Sequence, residues 1–302
     1  MSWLVREKSE NPITGFRKLL EQDGIVQIPG AHDAMAALLA QKAGFKAIYL
    51  SGAALTATLG LPDLGVITLP ELVNRTKEMT RATGMPLLVD VDTGYGSVLN
   101  VTRTVYEMVE AGAAAIQMED QELPKKCGHL NGKKLVSTKE MVQKIKAARQ
   151  ADPNLVIVAR TDAKGVDGIE AAVERAKAYY DAGADLIFPE ALVTEDEFRY
   201  VAEQTEFPLL ANMTEFGRTP YLTAEDFEKL GYKCVIFPVT SLRIAAKAVE
   251  KMYQILFATG TQKDLLADMQ TRKELYSTIG YDQYEDLDST IAKTILDELT
   301  NS

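Results

Sequence analysis

The chain has 302 residues, 46% of them hydrophobic and 25% charged, which excludes a chain disordered over its length. That size suits two average domains or one α/β barrel. A net charge of −10, from 33 basic and 43 acidic residues, argues against nucleic acid or an anionic membrane as partner, though not against a small anionic substrate. No apolar run reaches the ~18 residues of a membrane span, and Met1 to Glu10 lacks the apolar core of a secretory signal. Two cysteines make no disulfide scaffold, so the expected compartment is the reducing cytoplasm. With His32 and His129 the only histidines, a multi-histidine zinc site is excluded.

In chain order, short apolar runs read as buried parallel strands: Ile25–Ile28, Ala47–Leu50, Leu87–Asp92, Ala114–Glu119, Leu155–Arg160, Asp185–Phe188, Pro208–Asn212 and Cys234–Phe237. Helical patterns fill intervals between them: Leu69–Thr83, Asn100–Ala111, Ser137 to about Gln150, Gly168–Ala182, and a helix capped by Thr223 and ended by Gly231. A glycine precedes the strand repeatedly, at Gly44, Gly84, Gly112, Gly183 and Gly231. Eight strands alternating with helices predict a (β/α)8 barrel. An open doubly wound sheet is the alternative, but the first strand turns through Pro29-Gly30-Ala31-His32-Asp33 rather than a G-x-G-x-x-G loop. The expected organisation is one barrel domain over 1–302, with an N-terminal segment 1–23 and a C-terminal helical region 241–302. The longest connections follow strands two and four, Ser51–Val66 and Asp120–Val136, on the face where barrels build their sites.

Chemistry-bearing residues gather at that face. Asp90 and Asp92 lie two apart at the end of strand three, on one side by alternation. Two carboxylates held together call for a cation, and a hard divalent ion with oxygen ligands is the natural one. Glu119, ending strand four, is a third acidic contact, direct or through water. In Lys125-Lys126-Cys127-Gly128-His129, a cysteine beside basic groups suits an acid, base or nucleophile. Cys234, inside an apolar strand, reads as inert core. His32 follows strand one as a structural or substrate-positioning group. Arg160, Glu190, Asn212, Thr214 and Arg243 stand at later strand ends, and two arginines beside a cation suggest a substrate with several carboxylates. The loops after strands seven and eight are not glycine-rich phosphate cradles.

Several segments together resemble the isocitrate lyase and phosphoenolpyruvate mutase superfamily over nearly the whole chain. They are Tyr49-Leu50-Ser51-Gly52-Ala53, Leu59-Gly60-Leu61-Pro62-Asp63, Asp90 through Gly96, Glu119-Asp120-Gln121, Lys125 through His129, Ala159-Arg160-Thr161-Asp162 and Asn212 through Gly217. The K-K-C-G-H segment is specific to the lyase branch, and the match is strongest with the branch that cleaves (2S,3R)-2-methylisocitrate to pyruvate and succinate. The resemblance implies dependence on Mg2+, with Mn2+ as an alternative, held by Asp90 and Asp92 with Glu119 nearby. It implies that Ser51, Gly52 and Ala53 hold the pyruvate portion, and that Cys127 protonates the succinate carbanion. Gly128, Arg160, Glu190, Asn212, Thr214, Arg243 and Arg272 would bind substrate. Tyr49 is the candidate base, and Asp63 orders its loop or assists. Ala53 departs from relatives that carry a second glycine there, adding one methyl group.

The chain lacks the large insertions of isocitrate lyases, which favours the methyl substrate by resemblance. Phe188, Ile236 and Pro238 are the expected methyl pocket. One methyl discriminates by only about 1–3 kcal/mol, so isocitrate cleavage or dual activity stays open. A decarboxylase or hydrolase of the same superfamily is a further alternative, and a non-catalytic dicarboxylate-binding barrel another. The superfamily exchanges its last barrel helix between subunits, implying a homotetramer built from dimers.

Overall fold

The computed structural model describes residues 4–5, 10–128, 130 and 132–300, with 291–300 as backbone only. Eight strands alternate with helices: β1 Val26–Pro29, β2 Ile48–Leu50, β3 Leu87–Asp90, β4 Ala115–Glu119, β5 Val156–Thr161, β6 Leu186–Pro189, β7 Leu210–Asn212 and β8 Cys234–Phe237. Every paired strand is parallel, in two runs, β2 to β6 and β7–β8–β1. Single parallel bridges, Gly30 to Tyr49 and Ile187 to Leu209, join the runs and close a (β/α)8 barrel.

The strands are nearly all apolar because both their faces are covered. Inward side chains, Ile28, Leu88, Val156, Val158, Leu186 and Leu210 among them, fill the barrel. Outward ones, such as Ile48, Leu87, Ile116 and Ile157, pack under the helices. The N-terminal segment contributes here too. α1, Pro12–Glu21, is capped by Asn11 and buries Phe16 completely against the barrel's inner cluster. Burying a side chain of that size stabilises by about 1.5–3 kcal/mol.

The remaining helices are α2 Ala34–Ala43, α3 Gly52–Thr58, α4 Leu69–Thr83, α5 Val98–Glu110, α6 Thr138–Ala151, α7 Ile169–Asp181, α8 Glu195–Glu203, α9 Ala224–Lys229, α10 Thr240–Thr259, α11 Arg272–Ile279 and α12 Tyr281–Thr300. α4 shows how sequence sets a boundary. Thr68 and Glu71 form a reciprocal capping box, and Gly84 ends the helix in the left-handed conformation at φ 64°. The connection after β2, read from sequence as a loop, contains α3, for which Ser51 is the cap. α10, which follows β8, has no buried residue, and Ile244, Tyr253 and Phe257 on it are exposed. α11 lies against α2. Among the described residues no helix is long and apolar enough to cross a membrane.

Candidate active site

A cavity at the C-terminal end of the strands is lined by Tyr49, Ser51, Ala53, Asp63, Asp90, Cys127, Gly128, Arg160, Glu190, Asn212, Thr214 and Arg243, with Phe188, Ile236 and Pro238 on its apolar side. These come from six strand ends, those of β2, β3 and β5 to β8, and from the two long connections. Gly52, Asp92 and Glu119 are buried behind that lining. His129 falls outside the described residues.

β3 ends at Asp90, earlier than its apolar run predicts, and Asp92 sits in a left-handed turn at φ 50°. Even so the two carboxylates converge. A methyl on Gly52 would lie 3.2 Å from Asp90 Oδ2 and 3.1 Å from Asp92 Oδ1. Asp90 accepts the backbone N–H of Gly52 at 3.1 Å and that of Asp92 at 3.1 Å. The Gly52 amide, expected on substrate, is therefore turned to the acid. Burial, and then the charge of Asp90, push the Asp92 carboxyl up to about 6, although Lys125 opposes them.

Lys125, a basic neighbour of Cys127 in sequence, also faces the acidic residues of the cavity. Its buried ammonium sits 2.6 Å from Asp92 Oδ1 and also pairs with Asp63, so its charge answers carboxylates. Burial lowers its pKa, but Asp92, Glu119, Asp90 and Asp63 together hold it above the ordinary lysine range. Asp63 and Lys125 thereby tie the first long connection to the second.

Glu119 is 1% exposed; Arg160 Nη1 approaches its Oε2 at 3.1 Å, while Oε1 has no hydrogen-bond partner. Burial raises its pKa well above the usual range despite Arg160 and Lys125. A buried acidic pair beside an orphaned carboxylate oxygen is an excess of hard oxygen donors, and it fits a hard divalent cation. No three His, Cys, Asp or Glu side chains among the described residues form a ready metal cluster. The donors thus suit an ion that keeps water or substrate oxygens, as Mg2+ does.

The basic side is equally built. Arg160 Nε donates to Asp162 Oδ2 at 3.0 Å, and its guanidinium lies 5.4 Å from the Phe188 ring centroid. Asn212 Nδ2 donates to Glu190 at 3.3 and 3.4 Å, leaving Asn212 Oδ1 without a partner at the cavity. Arg243 Nη1 donates to the Glu215 carbonyl at 2.5 Å and to Glu215 Oε2 at 3.1 Å, and the guanidinium stacks on Phe216. Glu215 already occupies Arg243, so any further anion at this arginine has to share or replace it. Tyr49 donates its hydroxyl to Gln117 Oε1 at 2.6 Å. Burial, and then the charge of Asp90, raise its pKa well above 10, so in this state it is a hydrogen-bond donor. Cys127 is exposed at the rim, whereas Cys234 is buried and burial pushes its thiol up to about 12, as befits inert core. His32 is placed structurally, its Nδ1 3.0 Å from Ser241 Oγ.

Arg272 is not part of this cavity. It begins α11 and lines a separate surface depression with Tyr276 and Asp282. Gln117, Asp162 and Glu215 were not singled out from sequence, because each acts on another side chain. The available signal was position: Gln117 lies two before Glu119, Asp162 two after Arg160, and Glu215 next to Thr214.

The comparisons with known proteins agree with this geometry. The chain is 62% identical over 298 residues to the 2-methylisocitrate lyase of Bacillus subtilis (strain 168), covering 98% of this chain and 99% of the relative. A crystal structure of 2,3-dimethylmalate lyase superposes with a TM-score of 0.88 at 34% identity, covering 94% of this chain and 96% of the other. A phosphonopyruvate hydrolase solved with oxalate and Mg2+ superposes with a TM-score of 0.85 at 29% identity, covering 93% and 99%. The profile of the phosphoenolpyruvate phosphomutase family matches residues 16–257, and the chain belongs to that family.

Proposed function

We propose that the protein is a Mg2+-dependent carbon–carbon lyase that cleaves 2-methylisocitrate to pyruvate and succinate. The observation that carries this reading is the cavity itself: Asp90, with Asp92 buried behind it, two arginines and a cysteine-bearing loop meet there. The 62% identity to a 2-methylisocitrate lyase supports the substrate, and the hydrolase solved with Mg2+ and oxalate supports the ion.

Asp90 and Asp92 would hold Mg2+, with Glu119 behind them; Mn2+ suits the same oxygen donors. When bound, the ion supplies Lewis acidity toward the oxygens of the pyruvate portion. Ser51 and Ala53 orient that portion at the mouth of β2. Arg160 and Arg243, with Asn212 and Thr214, bind the carboxylates of the succinate portion and offset their charge as the bond breaks. Tyr49, with Asp63 nearby, is the group placed to take the hydroxyl proton. Its raised pKa requires that the site's cations pull it down in the loaded enzyme. Cys127 delivers a proton to the succinate carbanion from the loop. Phe188, Ile236 and Pro238 give the substrate methyl an apolar wall.

α10 has no buried residue in its own chain, which supports exchange of this helix between subunits and a homotetramer. Arg272, outside the cavity of its own chain, would then serve a neighbouring site. A thiol proton donor suits a reducing compartment, and we place the enzyme in the cytoplasm.

The test is direct. Purified protein with Mg2+ and 2-methylisocitrate should form pyruvate and succinate in equal amounts, with pyruvate read through lactate dehydrogenase. Release of carbon dioxide, or no pyruvate at any pH at which the protein is folded, would contradict the reading.

A further inference from the structure

The loop that carries Cys127 is anchored from below by a lysine near its own end. The Lys133 ammonium is buried and donates to the Gly128 carbonyl and, at 2.9 Å, to Asp162 Oδ1. Asp162 is fully buried and also accepts from Arg160, Nε to Oδ2 at 3.0 Å and Nη2 to Oδ1 at 3.2 Å. Burial disfavours the Asp162 carboxylate, yet Arg160 and Lys133 hold its pKa below the ordinary value. Its backbone N–H is fixed in turn, donating to Asp120 Oδ1 at 2.9 Å.

Gly128 itself has no room to move inward. A methyl there would strike the Glu190 side chain and come 2.6 Å from Arg160 Nη2. The loop backbone therefore rests on two charged groups that line the cavity. One carboxylate, Asp162, sets both the arginine and, through Lys133, the loop above it.

We propose that Lys133 is a positioning residue that fixes the Gly128 end of the cysteine-bearing segment at the cavity. Arg160 already gives Asp162 a counter-charge. What Lys133 adds is the second contact, to a loop carbonyl; a compact ammonium with three donors can serve both acceptors at once. Its importance to turnover rests on the reading that Cys127 protonates the carbanion, since that step needs the thiol held at a fixed distance.

Lys133→Met tests this by hydrogen exchange and turnover together. The reporters are the amides of Lys126, bonded to Gln121 Oε1 at 2.9 Å, and Leu130, bonded to the Cys127 carbonyl at 2.9 Å. Losing a hydrogen bond from a charged donor should speed their exchange about tenfold to a hundredfold and lower kcat for pyruvate release comparably. Exchange along β5, Val156–Thr161, should not change. Unchanged loop exchange would overturn the proposal, and so would equal acceleration in β5, which a purely structural role predicts. Lys133→Gln is the second variant: it keeps a polar donor of lower charge and shorter reach that cannot serve both acceptors as the ammonium does, and the same loop-selective change is expected. Loss of folding in both variants would also overturn the proposal. Failure of the unsubstituted enzyme to cleave 2-methylisocitrate would contradict the lyase reading alone, because the exchange result does not depend on turnover.

Discussion

Acidification should weaken Mg2+ binding, because the Asp92 carboxyl is pushed up to about 6 by burial and by the charge of Asp90. Below that value a cation must displace a proton. From about pH 7.5 to about pH 5 the ionised fraction falls from nearly all to about one tenth, so the apparent association constant should fall about tenfold. Glu119, also raised by burial, adds in the same direction. Stability of the metal-free protein follows from the same shift. The folded carboxyl titrates above its unfolded value near 3.9, so the site's contribution is present below about pH 4 and is lost as pH rises through about 6. Stabilisation by Mg2+ should therefore grow as pH rises through that window. Calorimetric titration with Mg2+ alone, at constant ionic strength, measures the first effect; thermal unfolding with and without Mg2+ measures the second. An affinity that is flat or rises on acidification would refute the account. Asp92→Asn should bind Mg2+ weakly and lose this part of the pH dependence.

Other outcomes follow from the same geometry. Cys127→Ser should keep the fold, since the side chain is exposed, and lower kcat by about 10²-fold or more, as removal of a placed proton donor does; near-normal turnover would remove Cys127 from the mechanism. Ile236→Ala should reduce kcat/KM for 2-methylisocitrate by more than that for isocitrate, the gap being about 1–3 kcal/mol for one methyl contact; equal losses would place the methyl elsewhere. Asp162→Asn leaves Lys133 and Arg160 short of a buried counter-charge, so it should cost about 3–5 kcal/mol in stability by chemical denaturation; a change within error would contradict the buried network. Light scattering should report a homo-oligomer, with a clean monomer contradicting helix exchange.

The barrel was legible because parallel strands covered on both faces leave continuous apolar runs, and Leu69–Thr83 even has its predicted limits. Strand ends were less so: Val91 is buried like a strand residue, but Asp92 already turns at φ 50°. α3 was missed because Gly52-Ala53-Ala54-Leu55 lacks the charged outer face that marks a surface helix. At the site, the cavity gathers most of the residues expected from strand ends. Local reading did not reveal the partners of Lys125, because Asp63 and Asp92 are distant from it in sequence. Gly52 likewise turned out to serve Asp90, a contact that exists only once β2 and β3 are side by side. Arg272 lies off the cavity because α11 packs on α2, which no periodicity in the C-terminal region announces.

The central claim is that this cavity breaks 2-methylisocitrate and that its apolar wall receives the methyl group. Steady-state cleavage of 2-methylisocitrate and isocitrate, measured side by side with Mg2+, tests it most directly, since the first releases pyruvate and the second glyoxylate. The account predicts pyruvate release with kcat/KM higher by about tenfold or more for the methyl substrate. Faster glyoxylate release from isocitrate, or no cleavage of either, would contradict it.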